Sequence, residues 1–219
     1  MIHQDFETSF ASHAQMDQLW AAGWRHFGCY FFRYSHQITD TELEVIQPLR
    51  VDLQRFALTK SQRRVLNKNR EVQCTFEPAE RSPAAEALFQ RHKTRFTHHI
   101  PESLSSFLSP TPATLPNECL QCRVTLADEL VALSYLDVGQ TSSSSVYGMF
   151  EPAHSRRSLG LFTLLQEIAF SQARGYRWFY PGYATQGSSA YDYKKQLSAL
   201  QYFDWQSAQW ADLRPTAYS

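Results

Sequence analysis

Three groups of polar residues in this chain have the types and spacing to do chemistry. The run His154-Ser155-Arg156-Arg157-Ser158-Leu159-Gly160 leads directly into Leu161-Phe162-Thr163-Leu164-Leu165-Gln166-Glu167-Ile168. Apolar residues at Leu161, Leu164, Leu165 and Ile168 recur at helical spacing and predict one buried face, while the first amides of that helix have no partner within it and point back at the turn. Arginines beside such amides suit a phosphate, so Arg156, Arg157, Ser158 and Gly160 form a candidate anion site; the alternative is a basic surface turn that only starts a helix. In the second group Lys60, Arg63, Arg64, Lys68 and Arg70 crowd together, with Ser61, Gln62, Asn67 and Asn69 between them and no acid to neutralise them. Composition allows a solvated helix face or an anion-binding one there. The third group follows the last predicted core strand: Tyr183, Tyr191, Tyr193 and Lys194. Tyrosine hydroxyls can relay protons or donate to an oxyanion, and a lysine can neutralise a carboxylate or phosphate. Tyr191 and Tyr193 also fit the alternation of an amphipathic strand, which leaves Tyr183 and Lys194 as the candidates.

Other chemistries lack their residues. No Ser or Cys sits in a nucleophile elbow and the histidines are scattered, so a Ser/His/Asp or Cys/His constellation is not supported. Among Cys29, Cys74, Cys119 and Cys122 only the last two form a C-x-x-C pair, and a tetrahedral zinc site wants a second pair. His98 and His99 are adjacent rather than at ligand spacing, and the stretch from Cys119 to Leu126 reads as a strand, so buried thiols and no metal are expected. The formal net charge is zero, so a nucleic-acid contact has to come from a local patch. The first residues lack the basic and apolar regions of a secretory signal, and no apolar run is long enough to span a bilayer; a cytoplasmic protein without membrane contact is expected.

The elements that must position these groups are legible in outline. A helix is predicted from about Ser12 to Ala22, with Ser12 as N-cap and Gly23 as stop. Strands are predicted over Phe27 to Tyr34 and Pro48 to Phe56, and a second helix from about Pro83 to Thr97. The stretch from Pro101 to Pro116 reads as a connection with at most a short helix. Strands at Cys119 to Ala127, Glu129 to Val138 and Ser144 to Phe150 precede a helix from Ser158 to Arg174 and a strand from Arg177 to Pro181. That β-β-β-α-β order predicts a mixed α/β (α+β) sheet flanked by helices, of the acetyltransferase (GNAT) type. The expected domains are a small N-terminal subdomain over 1–58 and a catalytic domain over 59–219. Against the acetyltransferase phosphate pattern, Arg157-Ser158-Leu159-Gly160-Leu161-Phe162 departs at its last position, where Phe162 replaces a small residue and is expected to keep a pyrophosphate off the backbone.

The strings Gly23-Trp24-Arg25-His26-Phe27-Gly28, Pro48-Leu49-Arg50-Val51, Ser61-Gln62-Arg63-Arg64-Val65, Asn67-Lys68-Asn69, Ser158-Leu159-Gly160 with Gln166-Glu167-Ile168, and Gly182-Tyr183 followed by Tyr191-Asp192-Tyr193-Lys194 resemble, in order, the aminoacyl-tRNA–protein transferases. These are the arginyl and leucyl enzymes of the N-degron pathway. The resemblance spans about Trp20 to Lys195 and agrees with the acetyltransferase-like fold. It departs from the family at the N-terminal cysteine cluster associated with metal or iron–sulfur binding: Glu44-Val45-Ile46-Gln47 stands there, so metal-dependent regulation is not carried over.

What the resemblance implies is attack by a protein's N-terminal amine on the ester of an aminoacyl-tRNA, with that tRNA as co-substrate and no cofactor. Such a reaction needs positioning, a proton acceptor and oxyanion stabilisation rather than a nucleophile or a metal. The implied roles are tRNA phosphate binding for Arg156, Arg157, Ser158 and Gly160, acceptor binding for Gln62, Arg63 and Arg64, and catalysis for Glu167, Tyr183 and Lys194. Glu167 reads equally as an amine-orienting group or a solvent-facing helix former. The partners implied are charged tRNA and acceptor N-termini, acidic ones in particular, and the amino acid moved is arginine or leucine. Two alternatives stay open: an acetyl-CoA-dependent N-acyltransferase, and a non-catalytic tRNA- or degron-binding module.

Overall fold

Side-chain caps start three of the four helices found among the described residues. The computed structural model describes residues 1–38, 42–97, 100–187 and 192–213. Ser12 and Thr59 close capping boxes with Gln15 and Gln62 at the heads of α1 (His13–Ala21) and α2 (Lys60–Lys68), and Ser82 accepts from Ala85 N at α3 (Pro83–His92). Helix α4 (Leu159–Ala173) has no side-chain cap; Ser158 before it is left-handed, at φ 55° and ψ 43°.

The strands are β1 (His3–Glu7), β2 (Arg25–Phe27), β3 (Tyr30–Tyr34), β4 (His36–Ile38), β5 (Leu43–Asp52), β6 (Gln73–Pro78), β7 (Cys119–Leu126), β8 (Glu129–Val138), β9 (Ser142–Phe150), β10 (Trp178–Thr185), β11 (Leu200–Asp204) and β12 (Gln209–Asp212). A small sheet runs β1-β3-β2, and a nine-stranded mixed sheet runs β12-β11-β5-β10-β9-β8-β7-β6, with β4 on β5. This is the acetyltransferase-like architecture that the order of elements predicts. The large sheet draws strands from both sides of residue 58, because β5 lies between β10 and β11.

Alternation along β8 separates the two faces. Leu133 and Tyr135 pack with Leu88 and Phe89 of α3, whereas Ala132 and Leu136 pack with α4 residues including Leu159 and Leu165. Among the described residues only β9 and β10 are parallel neighbours, joined through α4, and they pair over three residues, Ser142–Ser144 with Trp178–Tyr180. Beyond that point β10 stays on β5 through an irregularity between Phe179 and Gly182, and β9 stays on β8 through a register shift after Tyr135. The two strands therefore splay apart at Ser145 and Pro181 and leave a gap in the middle of the sheet.

Three expectations are corrected. The stretch from Phe27 to Tyr34 is not one strand, because Gly28 takes φ +54° and folds β2 and β3 into a hairpin. The basic turn is longer than the sequence suggests: a 3-10 segment, Pro152–Arg157, stands between β9 and α4. The last predicted strand does not stop at Pro181; Gly182, at φ +104°, carries it onward to Thr185.

Candidate active site at the splay

Glu167 projects from the third turn of α4 and is fully buried, which settles its two readings against a solvent-facing role. Neither carboxylate oxygen has a hydrogen-bond partner of normal geometry among the described residues, nor does the buried Ser134 hydroxyl of β8. Buried polar groups are almost always paired, and the Ser134 and Ser145 side chains are the hydrogen-bonding neighbours that favour the charged form of this carboxyl. Burial pushes the Glu167 carboxyl up to about 8, opposed by Ser134, Ser145, Lys194 and Arg25 nearby.

Lys194 begins a 3-10 turn, Lys194–Gln196, after β10. The residue is half-buried and its amine is the buried end; burial and the Arg25 charge press it down to about 7, against the pull of Glu167. A Cβ on Gly182 would lie 3.2 Å from Lys194 Nζ and 3.6 Å from Arg25 Nη2. Glycine here lets both cations close on the mouth of the splay. The Arg25 guanidinium donates to Ser144 Oγ and to the Ser145 carbonyl, the last paired and first splayed residues of β9. Glu167 and Lys194 thus form a carboxyl and an amine that both exchange protons near neutrality.

Tyr183 stands beside this cluster, but its hydroxyl donates to the Gly23 carbonyl at 2.6 Å and its ring meets Phe32 and Tyr34 edge-on. Burial raises this phenol, and its visible work is to fasten the small N-terminal sheet to β10. Gln62 likewise makes structural bonds. It is buried, its Oε1 accepts from Thr59 N at 2.9 Å, and its Nε2 donates to the Gln196 carbonyl at 3.3 Å. It holds the turn that carries Lys194. Arg63 donates to the Leu58 carbonyl at 2.5 Å, and both Arg63 and Arg64 are exposed. Tyr191 lies outside the described residues, and Tyr193 leads into the 3-10 turn rather than lying on a strand.

The two basic segments, far apart in sequence, meet on one surface. Lys68 Nζ donates to the Arg156 carbonyl, Asn69 Nδ2 donates to the Arg157 carbonyl at 2.9 Å, and Arg157 forms an ion pair with Glu71 at 2.5 Å. Beside them lies the uncapped start of α4 with Ser158 and Gly160, about 12 Å along the helix from Glu167 at 1.5 Å per residue. Phe162 corrects an expectation. It is buried in the core with Leu159, Cys122 and Val124, so it does not crowd the turn.

Sequence reasoning missed Arg25, Ser134 and Ser145. The Arg25 contacts span 119 and 120 residues, and the only local signal was its place in the Gly23–Gly28 string. For the cysteine cluster of the resembled family the residues do not fit: among the described residues no three His, Cys, Asp or Glu side chains gather as metal ligands. No described helix is long and apolar enough to cross a membrane.

Residues 85–204 match the family model described as arginine-tRNA-protein transferase, C terminus. A protein of Stenotrophomonas maltophilia named aspartate/glutamate leucyltransferase is 28% identical over 166 residues, covering 71% of this chain and 65% of that protein. One of the same name from Xanthomonas axonopodis pv. citri is 30% identical over 176 residues, covering 72% and 66%. The matched region thus spans about two thirds of the length of these relatives. Among solved structures, FemX aligns with a TM-score of 0.51 at 10% identity, over 87% of this chain and 65% of that one. The C-terminal domain of a proposed lysylphosphatidylglycerol synthetase from Agrobacterium fabrum aligns at 0.51 and 18% identity, over 69% and 49%. At such identities the likeness speaks to the fold alone.

Proposed function

The chain belongs to the arginine-tRNA-protein transferase C-terminal family, and from that premise we propose that it moves an amino acid from a charged tRNA to the N-terminal amine of an acceptor protein. The observation that carries the reading is the fully buried Glu167 carboxyl of α4, with the buried Lys194 amine and the Arg25 guanidinium among the charges that act on it at the splay. An N-terminal amine, with an ordinary pKa of about 8, attacks in its neutral form; its nitrogen becomes strongly acidic as it bonds to carbon, and a base near 7 is matched to taking that proton. In the proposed step the acceptor nitrogen bonds to the ester carbonyl carbon and its proton passes to Lys194. The bond from carbon to the ribose oxygen breaks, and protonated Glu167 supplies the proton to that oxygen. A proton then returns from Lys194 to Glu167, so the pair ends as it began.

The basic surface formed by α2 and the start of α4 takes the tRNA end, with Arg156, Arg157 and the amides at Ser158 to Gly160 on phosphates. Arg63 and Arg64 remain available on the same surface for phosphates or for an acidic acceptor residue. Leucine is the favoured amino acid, and acidic first residues the favoured acceptors, because the relatives carry the name aspartate/glutamate leucyltransferase. The test is incubation with labelled leucyl- or arginyl-tRNA and peptides beginning with Asp, Glu or Ala, read by peptide mass. Leucine added to the Asp and Glu peptides alone is the expected result. Binding of tRNA with no transfer to any peptide would leave a binding module, and tight acetyl-CoA binding with acetyl transfer would favour the other enzyme class.

A further inference from the structure

We propose that Arg25, which lies outside the matched residues 85–204, is a positioning residue of this site: it clamps the splay open and, as a fixed second cation, keeps the Lys194 amine available as a base. The proposal rests on the reading of Glu167 and Lys194 given above. Arg25 comes from the N-terminal sheet, on the face of the large sheet opposite α4. Successive serines of β9 mark the two sides, for Ser143 Oγ bonds to Ser171 of α4 at 2.7 Å while Ser144 Oγ accepts from Arg25. To act on Glu167, the guanidinium has to reach through the gap.

Its aim is fixed at both ends of β2. His26 is buried, with Nε2 2.6 Å from Asp137 Oδ2 of β8 and Nδ1 2.8 Å from the Gly28 carbonyl. Gly23 is held by the Tyr183 hydroxyl at 2.6 Å. Between these anchors the Arg25 clamp spans Ser144 and Ser145, where β9 leaves β10. Its other neighbour is Lys194, both side-chain ends lying within 4 Å of one point above Gly182. The charged and titratable groups around the pair are Glu167 of α4, Asp137 of β8, Tyr183 of β10 and Tyr34 of β3. A guanidinium keeps its proton under all working conditions, so repulsion between the two buried cations falls on Lys194, and the direction found for its amine agrees.

The test compares Arg25→Gln, which keeps hydrogen-bonding capacity without charge, with Arg25→Lys, which restores the charge, and with Arg25→Met as a second uncharged variant should Gln disturb folding. Two pH profiles are measured: single-turnover transfer, and acetic anhydride labelling of Lys194 read by peptide mass spectrometry without tRNA. Removing the charge should move the acid limb of transfer and the labelling midpoint upward by about 1 pH unit, and Arg25→Lys should bring both back. Midpoints that stay in place, with transfer lowered equally at every pH, would reduce Arg25 to a scaffold role and overturn the proposal. A wild-type protein that transfers nothing would overturn the functional reading instead, while the labelling would still decide whether Arg25 governs Lys194.

Discussion

The basic face and the splay handle charge in opposite ways. On the basic face Arg63, Arg64, Lys68 and Arg156 are exposed, and Arg157 shares its charge with the exposed Glu71. Water and salt screen such groups, so they act as a set and each counts for little. In the splay Arg25, Glu167 and Lys194 are few and withdrawn from water, and two of them have been moved to the neighbourhood of neutral pH by burial. Removing one leaves the others uncompensated. The difference assigns grip to the face and chemistry to the splay, about 12 Å apart on one helix.

The sharpest way to break that division is Glu167→Gln, which keeps shape and removes the acid. Transfer at saturating tRNA should fall by about 10²- to 10⁴-fold while tRNA affinity changes little, as read by single-turnover rates beside filter binding; equal loss in both would merge the two regions. Next comes Asp137→Ala, which strands His26 in the interior. Loss of one partner of a buried pair costs about 3–5 kcal/mol, measured by urea unfolding, and it should loosen the N-terminal sheet without touching the basic face. A drop below about 0.5 kcal/mol would show that the pair is not the anchor of β2. The smallest effect belongs to Arg157→Ala. It should weaken tRNA binding and lower the slope of log affinity against log salt by about 1, with the transfer rate at saturation kept. Glu71→Gln should shift affinity the other way, and an unchanged slope in both variants would remove Arg157 from the phosphates.

Legibility in the sequence divides along similar lines. Helices α1, α3 and α4 are readable because a cap residue or apolar spacing is a local signal; Ser12 and Gly23 bracket α1 as expected. Strand β1 has every residue exposed, so no alternation marks it, and β12 is a short edge strand with no buried residue. Helix α4 and its basic lead are visible for the same local reason. The splay is not, because it exists only where β9 and β10 part company, and its Arg25 contacts cross 119 and 120 residues. Glu167 could be singled out but not placed, since a glutamate beside Gln166 on a helix looks the same whether it faces water or the core. Phe162 shows the reverse error, a residue assigned to a turn by its place in a pattern while its side chain completes the interior.

The most direct measurement is the pH dependence of single-turnover leucine transfer from charged tRNA to a peptide beginning with Asp. Below about 7 both Lys194 and Glu167 hold protons and no base is present; above about 8 Glu167 has lost the proton owed to the ribose oxygen. The account predicts a bell with its acid limb near 7 and its alkaline limb near 8. A rate independent of pH across this range, or no transfer at any pH, would contradict it.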